Sequence, residues 1–566
     1  MPFVMFGGLA GWLHPAAPGV PASRRAVVLC GAFGDEAYST HQGWRVLANM
    51  LAARGVAALR FDWPGTGDSL GVLPAQDVTG ACIASIHRSV AFLRAATGAE
   101  DVALVGLRLG ALLAAHAAAQ SGTIAALALL APPQAGRVLV REMRLVHSIT
   151  TLVPAKPGAG LDVAGLHLTT AAMAEIEALR VPADLATTRV LVAHTGAHAD
   201  LSGAMVIPFE GYDSFMRDNL SSVVPEGLFA QVAGWLDQPG PVAVATPPTL
   251  APAALRVPGA VETPLWFGPG DGLFGILCTP DQPVADAPAT ILLSSGATHH
   301  AGNGRINVLM ARHLATQGVT TLRMASPGAG ENRASGPIAP YAPGLGSGVS
   351  AAIDALAATG HERFAAFGLC SGGYVAFHVA RTERRLCALL LLNMQVFDWR
   401  PGDTLTIPVR AAATYANAIR SGAVWGRLLG RGGARLTLRR GLRIAAMLLW
   451  RRALAAHDGL RRQQPGARAL PRTVLGWLRQ MECRVMLAWG DADPGLDAAR
   501  GAFGPRLARL RRVPGVETAV LPGTQHIVNG PGSQAQIMAL AAAYLVQPSL
   551  QVQRSNPSPH HARAPC

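Results

Sequence analysis

The residue pattern with the clearest chemical content is Gly368-Leu369-Cys370-Ser371-Gly372-Gly373, which follows an apolar run and precedes the helical stretch Tyr374 to Arg381. A strand that turns this sharply into a helix admits only small residues two before and two after its apex. The strained backbone there lifts the apical side chain clear of the sheet. With Cys370 at the apex the small positions are Gly368 and Gly372; with Ser371 they are Leu369 and Gly373, and Leu369 would be crowded. The spacing favours Cys370 as a nucleophile, with Ser371 as the alternative. The Ser371 N–H, at a helix start, is then one donor to a developing oxyanion.

A thiol nucleophile needs a base and an acid that orients it, in the chain order nucleophile, acid, histidine. Both follow downstream. The apolar run Arg484 to Trp489 leads into Gly490-Asp491-Ala492-Asp493-Pro494, and the run Glu517 to Leu521 leads into Pro522-Gly-Thr-Gln-His526. The pattern predicts that Asp493 holds the imidazole of His526, which draws the proton from Cys370. A second oxyanion donor is expected from Ser294-Ser295-Gly296-Ala297-Thr298-His299-His300, at the Ala297 N–H or, one residue on, Thr298.

These residues lie in the second of two copies of one plan. Phe6 to Pro15 reads like Phe267 to Pro280, each a short hairpin ending at a proline. Strands are expected at Ala26 to Cys30 and Thr290 to Ser294. The next strands end in Arg60-Phe-Asp-Trp-Pro-Gly-Thr-Gly-Asp-Ser69 and Arg323-Met-Ala-Ser-Pro-Gly-Ala-Gly-Glu-Asn332, and further strands are expected at Val102 to Val105 and Phe364 to Phe367. Strands alternating with helices imply βαβ units, hence an α/β fold with mostly parallel sheets covered by helices on both faces. In the first copy the sharp turn reads Gly106-Leu107-Arg108-Leu109-Gly110; an arginine has no usable lone pair and cannot be an acyl nucleophile. His194, His198 and Asp213 fall near the triad positions in the wrong order, so this copy reads as catalytically degenerate. Arg108 is expected to pair with Asp62 or Asp68, the alternative being a phosphate or carboxylate ligand at the helix start.

The expected organisation is a degenerate domain over 1–240, a Pro-rich linker over 241–257, a catalytic domain over 258–548 and a polar tail over 549–566. Between Arg400 and Arg479 stand sixteen arginines against Asp403 and Asp458, a net charge of +14 that equals that of the 566-residue chain. This stretch, about 399–481, is expected to form a helical cap over the site, suited to an anionic acyl substrate or an anionic membrane surface, the alternative being a merely solvated helical face in an arginine-biased chain. The few aromatics there argue against nucleic acid. No apolar run is long enough to cross a membrane, and seven scattered cysteines without CxxC spacing fit a reducing cytoplasm. The Gly-x-Gly patterns at Gly65 and Gly268 are turns rather than dinucleotide fingerprints, and neither a metal nor a cofactor is expected.

The strand-turn-helix with its downstream acid and histidine resembles the α/β-hydrolase superfamily, and Gly368-x-Cys370-x-Gly372 resembles its dienelactone-hydrolase branch. The hairpins, the His299 loop and the paired Pro-Gly-x-Gly turns resemble exosortase-associated bacterial hydrolases, in tandem over nearly the whole chain; Ala325 departs from the aspartate usual there and present at Asp62. The resemblance implies hydrolysis of small esters or acyl groups. An acyltransferase using the same triad and a non-catalytic interaction protein are the competing readings.

Overall fold

The computed structural model describes residues 1–150, 160–183, 185, 189–196, 201, 203–237, 253–333, 340–342, 344–399 and 465–546. Most of the expected linker and cap, the whole tail and His198 lie outside the described residues.

Two large sheets carry the fold. The first contains β1 (Phe3–Phe6), β2 (Leu9–His14), β3 (Arg25–Cys30), β4 (Ala57–Phe61), β5 (Asp101–Leu107) and β6 (Ile124–Leu130). A separate small hairpin, β7 (Leu161–Val163) with β8 (Leu166–Leu168), interrupts the chain before β9 (Val190–His194) and β10 (Met205–Pro208) complete that sheet. The second sheet contains β11 (Leu255–Val257), β12 (Ala260–Phe267), β13 (Leu273–Pro280), β14 (Ala289–Leu293), β15 (Thr321–Met324), β16 (Phe364–Leu369), β17 (Leu386–Leu392), β18 (Arg484–Gly490) and β19 (Val516–Leu521).

Strand order is β1-β2-β4-β3-β5-β6-β9-β10 in one sheet and β11-β12-β13-β15-β14-β16-β17-β18-β19 in the other, so the two agree apart from the added edge strand β11. In each the antiparallel hairpin leads into a parallel run of six strands. The central parallel strands are largely apolar, as in β6, IAALALL, and β17, LCALLLL, each buried at every position but its second, because helices cover both faces. The order reverses between β3 and β5 and between β14 and β16, which opens a crevice at the carboxyl ends of those strands where ligands bind in open α/β sheets.

The expected α/β class and alternating strands are present. Three local readings change. The segments Phe6 to Pro15 and Phe267 to Pro280 are each a turn plus the second strand of a hairpin, whose first strand lies upstream as β1 and β12. Leu255–Val257, read as linker, pairs with β12 as an edge strand, because alternating Leu255 and Val257 bury against the sheet. The helix after the sharp turn spans Ser371–Val379, beginning three residues earlier than expected, since the apex itself heads the helix.

The two Pro-Gly-x-Gly turns interlock reciprocally. Arg60 on β4 donates twice to Glu331, at 3.0 and 2.8 Å, while Arg323 on β15 donates to Asp68 at 2.8 Å. Each turn thus presents its acid to the arginine that begins the other, and both carboxylates are buried. His300 bonds the second Asp68 oxygen at 2.6 Å, and Glu262 holds Arg323 and Arg312. Aromatic rings of Phe3, Trp12, Trp266 and Phe274 pack between the two hairpins.

Candidate active site

Cys370 follows β16 with φ 54° and ψ −114°, a left-handed backbone that favours glycine and here holds a cysteine. The flanking glycines have no room for a side chain. A Cβ on Gly368 would stand 2.4 Å from backbone atoms of Gly372 and Gly373, and one on Gly372 would stand 2.9 Å from the Ser294 carbonyl oxygen. The apex is therefore Cys370 and not Ser371, which is the first helical residue; its buried hydroxyl accepts the Gly296 N–H at 2.7 Å.

Asp493 and His526 come from loops after β18 and β19, neighbours in the sheet. Asp493 caps the helix Pro494–Phe503 by accepting the Gly495 N–H on Oδ1, which leaves Oδ2 for His526 Nδ1 at 2.5 Å. With Nδ1 so engaged, Nε2 is the ring nitrogen left for Cys370, and the imidazole is hydrogen-bonded to that thiol. Burial of the ring works against its charge. The Cys370 sulfur and the bonds to Asp493 and Cys370 outweigh burial and push His526 up from 6.5 to about 9. The sequence-predicted trio thus meets in one place.

Other parts of the expectation land differently. Ala297 lines an adjoining recess with Tyr38 and His41, whereas Ser295 and Gly296 line the cavity over Cys370. Gly296 takes φ 58° and turns the chain away one residue before Ala297, and its own N–H is engaged by Ser371. Thr298 lines the cavity, but its N–H donates to the Ser295 carbonyl at 3.1 Å. The Ser371 N–H heads its helix, where no carbonyl four residues earlier accepts it.

Several groups were not singled out from sequence. Asn393, buried and with φ 54°, donates to the carbonyls of Gln525 and His526 and accepts the Gly490 N–H, tying the histidine loop to the ends of β17 and β18. Gln395 lies 3.1 Å from His526 Nδ1, and the Tyr341 hydroxyl 3.8 Å from Cys370 Sγ. Two amides just beyond the apolar β17, at positions 393 and 395, were the available signal for the first pair; Tyr341 carried none.

The turn after β5 repeats the strain without the chemistry. Arg108 has φ 56° and ψ −115°, and a Cβ on Gly106 or Gly110 would meet backbone at 2.5 and 2.2 Å. Its guanidinium bonds Glu36 at 3.0 Å and also Glu142, rather than Asp62 or Asp68. The reason is tertiary: Asp68 faces across to Arg323 and His300, and Asp62 accepts the Asp68 N–H at 2.9 Å. His194 bonds the Gly196 carbonyl at 2.8 Å and Asp213 lies in the short helix Tyr212–Phe215.

Among the described residues no cluster of His, Cys, Asp and Glu is suited to a metal ion, and no helix is long and apolar enough to cross a membrane.

Residues 25–149 match the family model described as alpha/beta hydrolase fold. No curated protein matches the chain. Solved structures similar to it include a dienelactone hydrolase from Anabaena variabilis, 14% identical, covering 50% of this chain and 97% of that one with a TM-score of 0.30. A proline iminopeptidase from Mycobacterium smegmatis is 18% identical, covering 50% and 97%, with a TM-score of 0.31. A putative lipase from Acinetobacter baumannii is 14% identical, covering 50% and 90%, with a TM-score of 0.31. The architecture is α/β, with the hydrolase-fold match lying on the first sheet and the Cys370 site on the second.

Proposed function

We propose that the chain hydrolyses carboxylic esters or thioesters through a covalent acyl-enzyme on Cys370, with two hydrolase-like domains of which only the second is catalytic. The observation that carries this reading is the run of contacts from the Cys370 thiol to the His526 ring to the Asp493 carboxylate, set at a strained strand-to-helix turn.

In this reading His526 holds the proton of Cys370, giving a thiolate beside an imidazolium. The sulfur attacks the substrate carbonyl carbon and forms the C–S bond; the negative oxygen of the tetrahedral species receives the Ser371 N–H. Collapse breaks the bond to the alcohol or thiol, which leaves with the proton from His526. Water then attacks the thioester, giving its proton to His526, and the carboxylic acid departs as the C–S bond breaks. Asp493 keeps the ring oriented throughout. Arg108 and its glutamates support an inactive first domain, since a guanidinium held between two carboxylates offers neither nucleophile nor base.

The test is turnover of p-nitrophenyl esters and acyl thioesters by the wild type, Cys370→Ala and His526→Ala. Each substitution is expected to lower kcat/KM by roughly 10³-fold or more. Rates unchanged in Cys370→Ala would remove this residue from the reaction.

A further inference from the structure

The cavity over Cys370, about 300 Å³, is built from both halves of the chain. Its floor comes from the second half, with Cys370, Ser371 and His526. The first half supplies a wall: Tyr38 from the helix Asp35–Ala52, Val146 from the helix Gly136–Thr150, and the loop Asp218 to Leu220.

That wall is fixed in place. Asn219 Nδ2 donates to Thr298 Oγ1 at 2.9 Å; Thr298 donates to Asn303, and Asn303 to Ser295 Oγ, so the loop beside the nucleophile is bonded into the first half. The rings of His41 and His299 stack with centroids 4.7 Å apart across the same boundary. The Asp218 carboxylate folds back to accept the Leu220 N–H at 3.0 Å and the Ser221 hydroxyl, which braces the loop from within. Leu220 leans over Gly296, its Cδ2 only 3.6 Å from where a Cβ on that glycine would stand.

Leu220 and Val146 are 43% and 44% exposed, and both line this cavity. Water-exposed apolar groups gathered at a cavity that also holds a few polar groups mark where the apolar part of a ligand lies. The charged groups point the same way. Besides the His526 imidazolium, which is committed to Asp493 and Cys370, the charged groups of the cavity's described lining are Asp35 and Asp218, so a second carboxylate or a phosphate lying against them would meet like charge.

We infer that the half without a nucleophile sets the acyl selectivity of the half that has one: Leu220 and Val146 form the wall against which a neutral, apolar acyl chain lies while its carbonyl meets Cys370. This rests on the acyl-enzyme reading given above. Neither residue touches the reacting atoms; both determine specificity by shape.

Two readouts on the full chain separate the ideas. The first compares p-nitrophenyl acetate, butyrate and octanoate. Leu220→Trp is expected to lower the ratio of kcat/KM for octanoate to that for acetate by about tenfold or more, and Leu220→Ala to shift the preference toward longer or bulkier chains. An unchanged chain-length ratio in both variants, with activity still dependent on Cys370, would overturn the inference and leave the acyl-enzyme reading standing. The second needs no turnover: the rate at which Cys370 is alkylated, followed on its peptide by mass spectrometry, by N-ethylmaleimide, N-octylmaleimide and 6-maleimidohexanoic acid. The octyl reagent should gain over the ethyl one in the wild type and lose that gain in Leu220→Trp, while the acid reagent should be the slowest and recover in Asp35→Asn. Identical reagent ratios in wild type and variants would overturn the inference even if no ester is hydrolysed, an outcome that would separately remove the acyl-enzyme reading.

Discussion

Replacing Asp68 by alanine tests whether the two halves are held by the reciprocal pairs rather than by apolar contact alone. Asp68 is 2% exposed and Arg323 is fully buried, and the carboxylate bonds Arg323 at 2.8 Å and His300 at 2.6 Å. Without it, Arg323 keeps only Glu262, which Arg312 also uses, and Arg305 stands nearby on the carbonyls of Gly65 and Gly67. Arg323 and Arg312 would then share one carboxylate in a buried interface, with the Arg305 charge close by. Removing one partner of such a pair costs about 3–5 kcal/mol, whereas the exposed pair Arg24 with Glu100 is worth about 1 kcal/mol or less. Urea unfolding followed by far-ultraviolet circular dichroism and by tryptophan fluorescence reads the difference. Asp68→Ala is expected to lose several kcal/mol and Glu331→Ala a similar amount, while Arg24→Ala stays close to wild type. The surviving transition is expected to broaden or split as the halves uncouple. Asp68→Ala within about 1 kcal/mol of wild type would refute the argument, because a buried arginine cannot lose a carboxylate that cheaply.

Two further outcomes follow from the site. His526 is raised to about 9, so its charged form persists through neutral pH, and an imidazolium beside a thiol favours the thiolate; iodoacetamide labelling of Cys370 should stay nearly level from pH 6 to 8, and in His526→Ala should fall below about pH 8.5, the free-thiol value. The sign for stability is that of a raised histidine: the contribution is complete below about 6.5, the unfolded value, and is lost as pH rises through about 9. Gly368→Ala forces a Cβ to 2.4 Å from the Gly372 and Gly373 backbone in the first turn of the following helix, so the elbow must shift; activity should drop by at least about 100-fold with a measurable loss of stability, and near-wild-type kinetics would mean that the turn has far more room than its geometry allows.

How much of this was legible in the sequence depends on the range of the interaction. The strands β3, β5, β14, β16, β18 and β19 were readable because each is a short apolar run ending in a glycine or polar turn. Cys370 was readable because steric crowding at a sharp turn acts within five residues. Asp493 and His526 followed from chain order and from their places at strand ends. The contacts that failed are the ones set by packing. Arg108 finds Glu36 and Glu142 because those helices lean over the turn, and Asp68 finds Arg323 because one half rotates onto the other; no local pattern encodes either. Ala297 missed the cavity by one residue because a positive φ at Gly296 redirects the loop. The first half's share in the cavity gave no signal at all, since Asn219 and Leu220 look like ordinary loop residues until the chain closes on itself.

The most direct measurement is the site of covalent acylation. The wild type mixed with p-nitrophenyl acetate and quenched within the first turnover should carry an acetyl group in place of the thiol hydrogen, a net gain of about 42 Da, on the peptide containing Cys370; hydroxylamine should remove it. An acetyl group found only elsewhere, or full turnover with Cys370 unmodified, would contradict the account.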